Sequence, residues 1–248
     1  MSDGDLGPVA LLALCPIGIA CGLAMLWVLR ACSDQAALVR ARSLIVAHLL
    51  EFRLFGDEPA LVLRAQRDVA VQSFRLIRLL LPPAAIMAAP TLFLFTQLDA
   101  VFGKLALVPG QAGVVTVHWN GAGEAPRLEE SAGIAVESAP VHVASARQVS
   151  WRFRPTRAGR SELRFVKGAQ VWTKSVAAGR GMGYVSARRV TLGVDFPLYS
   201  AEPPLLGGDV ESIAIGYGVA DVCGLHWVVW FVLFSVAAIL ARDIVRRL

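Results

Sequence analysis

Residues 79–98 read LLLPPAAIMAAPTLFLFTQL, twenty consecutive positions without a charged side chain. About twenty apolar residues are what a helix needs to cross a ~30 Å hydrocarbon core. Inside lipid every backbone polar group must be satisfied within its own segment, so the stretch predicts a helix. Two others match it. Leu6–Leu29 carries no charge, and Val222–Ala241 has only His226 as an ionisable group. The 248-residue chain is 56% hydrophobic and 17% charged, with a mean hydropathy of +0.58. Soluble domains average nearer 25% charged, and the bias here is concentrated in these three stretches.

The sequence therefore predicts a membrane α + β protein with six parts. Residues 1–30 form a first transmembrane helix with the N-terminus outside, and 31–78 a cytoplasmic αα-hairpin. Residues 79–99 form the second span, 100–192 an extracytoplasmic antiparallel β-sandwich, and 193–221 a Pro/Gly-rich return segment. Residues 222–248 form the third span and a basic cytoplasmic tail. The first stretch reads as a retained anchor, because Asp3 and Asp5 stand where a signal peptide carries basic residues, and its apolar run is too long.

Arginine placement orients these spans. Arg30, Arg40 and Arg42 follow the first stretch, Arg64, Arg67, Arg75 and Arg78 precede the second, and Arg242, Arg246 and Arg247 follow the third. Basic residues near span ends stay in the cytoplasm, which puts 31–78 and the C-terminus inside, at a bacterial inner membrane.

Within 31–78 the segments 33–55 and 57–78 read as helices. Gly56 is a natural stop, Asp57 an N-cap, and Pro59 falls in a first turn where proline is tolerated. A coiled-coil-like hairpin about 33 Å long follows at 1.5 Å per residue. Leu38, Ile45, Leu49 and Phe52 share one face; Leu63, Ala70, Phe74 and Ile77 share one face of the other arm. Gly18-x-x-x-Gly22 permits close helix packing in the first span.

From about Lys104 the period changes to two. Val115, Val117 and Trp119 alternate with Thr116 and His118. Val149, Trp151 and Phe153 alternate with Ser150, Arg152 and Arg154, and Leu163 and Phe165 with Glu162 and Arg164. Turn signals such as Asn120-Gly121 and Lys167-Gly168 separate them, predicting seven or eight strands in an immunoglobulin-like plan. One further strand is expected near Ile213–Tyr217.

No G-x-S-x-G, H-E-x-x-H, C-x-x-C or Walker sequence is present, so the chain reads as a non-enzyme without cofactor or metal. His118 and His142 lack a placed third ligand. No aromatic interleaving accompanies the arginines, so no specific nucleic acid is expected.

The order of span, charged helical hairpin and span resembles the YidC/Oxa insertase superfamily, which includes three-span archaeal members and the core insertase subunit of the endoplasmic reticulum membrane complex. The resemblance rests on Arg64-Ala65-Gln66-Arg67 through Phe74, then Pro82-Pro83, Pro90 and Gln97. It implies assisted insertion or folding of membrane proteins without a nucleotide. Client-contacting residues would be Arg30, Arg64, Arg67, Arg75, Arg78 and Gln97, and the partners the bilayer, nascent membrane proteins and the ribosome. Two features depart from the pattern: no charge lies deeper than Arg30, and the β-domain is large for a short member. The alternative is a structural or interaction protein whose outer β-domain binds an envelope partner.

Overall fold

The computed structural model describes residues 4–54, 59–120, 124–129, 131–193 and 195–245. The chain divides into two compact units, Met1–Gly18 with Leu92–Leu233 and Ile19–Thr91 with Phe234–Leu248.

Among the described residues there are four long helices: α1 (Gly7–Cys32), α2 (Gln35–Leu54), α3 (Pro59–Leu98) and α4 (Trp227–Val245). Among the described residues, two stretches are long and apolar enough to cross a membrane, Gly7–Cys32 and Gln66–Gly103. In their most apolar 18 residues only 22% and 6% are buried, whereas a soluble core helix would be mostly enclosed. The hairpin arm and the second span, expected as separate pieces, are one 40-residue helix. Pro82, Pro83 and Pro90 lie within it, where each removes an N–H donor without ending the helix.

The third stretch is shorter than expected. Val222 and Leu225 exchange backbone hydrogen bonds of 2.8 and 3.2 Å across a tight turn in which Cys223 takes φ 48°. Helix starts only at Trp227, and its apolar part, Trp227–Arg242, reaches about 24 Å at 1.5 Å per residue.

In the larger unit, every pair of named strands is antiparallel. The strands are β1 (Lys104–Leu105), β2 (Gly113–Trp119), β3 (Arg127–Glu129), β4 (Ile134–Val136), β5 (Val141–Val143) and β6 (Gln148–Pro155). They continue with β7 (Gly159–Lys167), β8 (Gln170–Ala178), β9 (Arg188–Val190), β10 (Val210–Ile215) and β11 (Gly218–Val219). A six-stranded sheet runs β4-β6-β2-β10-β9, with β5 also paired to β6; a three-stranded sheet runs β3-β7-β8, and β1 pairs with β11.

The predicted alternation is what builds the core. Val115, Val117, Val149, Trp151 and Phe153 of the larger sheet are buried with Leu163, Phe165, Trp172 and Val176 of the smaller. Trp151 and Phe165 bring their rings to 5.5 Å. Burying side chains of this size stabilises by roughly 1.5–3 kcal/mol each. At the β7–β8 hairpin Lys167 pairs with Gln170, leaving Gly168 at φ 59°, a conformation that costs glycine little.

The Pro/Gly-rich segment does more than return the chain. It supplies β10, which lies between β2 and β9, and Val210 and Ile213 are fully buried. The strand begins three residues before the expected Ile213–Tyr217, at Val210, opposite Trp119.

Candidate functional site

In the smaller unit, α2 starts immediately after α1. Asp34 caps it, accepting from Ala37 N at 2.9 Å, and the Ser33 hydroxyl bonds back to Leu29 O. Leu38 and Ala41 are buried, and Ala37, Arg40, Ala41 and Leu44 share a cavity of about 270 Å³ with Gln72 and Arg75 of α3. Arg75 and Arg78 also line a cavity of about 360 Å³ with Leu79, Pro82 and the Cys32–Asp34 corner. So α2 and α3 line one cavity together. The facing residues of the second arm differ from those expected: Phe74 and Ile77 are 70% and 59% exposed. The side chains of Leu49, Phe52 and Leu63 and the hairpin tip 55–58 lie outside the described residues.

A third cavity, about 790 Å³, is an open groove between α1 and α4. Ile19 and Leu23 form one wall; Ala237, Ala238 and Ala241 form the other, with Arg242 at the end. Its walls are held close because Gly22 packs directly on Ser235: a methyl group on Gly22 would stand 2.6 Å from Ser235 O. Small residues let helix backbones approach in this way.

The six expected client-contacting residues fall in different places. Arg30 is half-buried near the end of α1, Arg64 and Arg67 are exposed on α3, and Arg75 and Arg78 line the hairpin-base cavities. Gln97 belongs to the larger unit. Its amide donates to Ser200 O at 3.4 Å and accepts from the Tyr184 hydroxyl at 2.9 Å. Thr96 beside it donates to Pro197 O at 3.0 Å, so the end of α3 is tied to the segment after β9.

Two arrangements in the larger unit escaped the sequence reading. The first is Lys174, fully enclosed, whose ammonium donates to Glu202 Oε2 at 2.9 Å, Ser186 O at 2.7 Å and Ser186 Oγ at 3.0 Å. Burial pulls the Lys174 ammonium below its ordinary pKa, and the Glu202 carboxylate pushes it back up. A lysine beside a serine hydroxyl is a nucleophile pattern in principle. Here Ser186 is only 3% exposed and Glu202 occupies the ammonium, so the network closes on itself and fastens β8 to the segment before β10. The available signal was register: Trp172, Lys174 and Val176 occupy alternate positions of one strand and all point inward.

The second lies where α3 gives way to β1. A π-helical turn, Asp99–Gly103, brings the Asp99 carboxylate to within 3.3 Å of the indole N–H of buried Trp227. Phe95, Trp227 and Phe231 stack edge to face around it. Asp5 plays a matching part at the start of α1, accepting from Gly7 N at 2.9 Å and Cys223 N at 2.8 Å.

His118 and His142 are not neighbours. β6 separates their strands, with His118 opposite Gln148 and His142 opposite Val149. Of the arginines on β6 and β7, Arg152 and Arg154 both pair with Glu137, at 3.2 and 2.6 Å, and Arg164 with Glu129 at 3.5 Å. Among the described residues no three His, Cys, Asp or Glu side chains are grouped to hold a metal ion.

No family model matches this chain, and no curated protein or solved structure matches it.

Proposed function

We propose that this chain is an insertase-like or chaperone-like protein of a bacterial inner membrane, of the kind found in the YidC/Oxa superfamily. It works on apolar client segments without a nucleotide. In this reading α1, α3 and α4 all cross the bilayer, the N-terminus and β-domain face outward, and the hairpin and C-terminus face the cytoplasm. The 24 Å apolar length of α4 is accommodated by local thinning of the bilayer and by snorkelling of Arg242.

The observation that carries the proposal is the groove between α1 and α4. Its walls are apolar and its alanines leave room for a second helix to approach. Arg242, at its end, would meet the polar flank of a segment and reduce the cost of drawing that flank into lipid. The hairpin complements it: Arg64, Arg67, Arg75 and Arg78 share α3 with the exposed Phe74 and Ile77, an amphipathic surface for an arriving segment. Arg30 belongs to the same cytoplasmic level.

Photocrosslinking from Ile19 and Ala238 during synthesis of a short membrane protein is the test. Adducts at both positions, with none from Leu192 in the β-domain, are expected. Client adducts at background level from both groove positions would overturn the proposal.

A second reading has one observation in its favour. β5 is an edge strand whose Val141 and Val143 are 59% and 37% exposed, open to an added strand from an envelope partner. Pull-down with the whole chain, rather than a 104–192 fragment that would lack β10, tests it. Loss of a bound envelope protein in Val141→Pro supports this reading.

A further inference from the structure

The base of the hairpin presents three arginines around two cavities that meet at one residue. Arg75 lines both; Arg40 lies on one side of it and Arg78 on the other. The polar groups of the neighbouring corner are already engaged. Asp34 caps α2, Ser33 bonds to Leu29 O, and the Gln35 amide donates to Ser33 Oγ at 2.9 Å. Among the described residues no ion pair holds Arg40, Arg75 or Arg78. Three guanidinium groups so placed, with one carboxylate nearby that is turned to a helix cap, favour an anion.

One further feature narrows the anion. The cavity that holds Arg75 and Arg78 continues onto Leu79 and Pro82, the first apolar positions of the long stretch of α3, so one end of it is greasy and the other cationic.

We propose that the hairpin base is a binding site for an anionic glycerophospholipid. The phosphate lies between Arg75 and Arg78, and the glycerol backbone and upper acyl chain lie along Leu79 and Pro82. Arg40 adds charge from the α2 side. The site rests on the membrane-spanning reading of α1 and α3, and is independent of any client.

The whole chain is reconstituted into phosphatidylcholine nanodiscs with and without phosphatidylglycerol, and resistance to carbonate extraction is scored separately. Phosphatidylglycerol is expected to raise the unfolding midpoint and to be retained on delipidation. The doubly substituted Arg75→Gln/Arg78→Gln chain stays inserted but retains roughly thirtyfold less. Arg42→Gln, on α2 but outside both cavities, changes nothing. Equal stabilisation by phosphatidylcholine alone, the same midpoint shift from inorganic phosphate, or undiminished retention by the double variant would each overturn the site. A chain extracted by carbonate would instead overturn the membrane reading on which it rests.

Discussion

Lys174 of β8 donates to Glu202 across 2.9 Å, with the lysine side chain wholly out of solvent and the glutamate 11% exposed. The pair joins the small sheet to a segment that composition alone marks as a linker. Removing one partner strands the other charge in the interior, which typically costs 3–5 kcal/mol, far more than the pair contributes over an apolar substitute. Glu202→Gln and Lys174→Met are each expected to lower stability by about that amount. The double variant Lys174→Met/Glu202→Leu should recover a large part of it. Denaturant titration of the purified chain measures the cycle, and additive losses in the double variant would contradict the pairing.

Tyr217 gives the β-domain an alkaline limit. Its hydroxyl accepts from Ala177 N at 3.1 Å, and burial pushes the phenol up to about 12 from an ordinary 10. Above pH 10 the folded chain therefore holds a proton that the unfolded chain has released. The stability it contributes is complete below pH 10 and is lost as pH rises toward about 12, by up to about 1.4 kcal/mol per pH unit for one proton. Tyr217→Phe should flatten this component while lowering stability at pH 7 by about 1–2 kcal/mol, because Ala177 N loses its acceptor. Unfolding midpoints between pH 8 and 12 check both effects.

Gly22 should tolerate no side chain. A Cβ there would stand 2.6 Å from Ser235 O and 2.8 Å from Ser235 Cα, and neither backbone atom can swing away. Gly22→Ala is expected to cost roughly 1–3 kcal/mol and Gly22→Leu more, as overpacked sites do. Ala24→Leu, two positions along on an exposed part of α1, should be nearly neutral. Thermal unfolding in one detergent compares the three.

The Asp99–Trp227 contact predicts a fluorescence change. A Cβ on Gly103 would fall 2.0 Å from Asp99 Oδ1 and 3.0 Å from Trp227 Nε1. Gly103→Ala must therefore push the carboxylate off the indole, with a red-shifted emission component and a loss of about 1–2 kcal/mol. Asp99→Asn keeps an acceptor oxygen and should stay near wild type, whereas Asp99→Leu should behave like Gly103→Ala.

Periodicity and turn chemistry were enough to place β2, β6 and β7, because a strand with one buried face writes that face into every second residue. They were also enough to find the long apolar stretches, since a run of about twenty uncharged residues stands out from ordinary soluble composition. The helices α2 and the first part of α3 were legible for the same local reasons, through Pro59 and the arginine-bearing segments, although the side chains between them were not. Phe74 and Ile77 share a stripe that pattern alone assigns to packing, and tertiary structure turns it outward while Gln72 and Arg75 face α2.

What no local pattern carried was the pairing of residues far apart in the chain. β10 lies among prolines and glycines, and its place between β2 and β9 depends on partners far earlier in the chain, such as Val115 opposite Ile215. Lys174 is a solvated residue by type, and becomes an interior one only because Glu202, Ser186 and the register of β8 converge on it. The groove at Gly22 and Ser235 likewise exists only once two distant helices touch. Sequence by itself determined which segments must leave water, because transfer free energy is a property of each side chain. Tertiary structure decided which of them meet, because hydrogen bonds, ion pairs and close packing belong to pairs of residues rather than to either one.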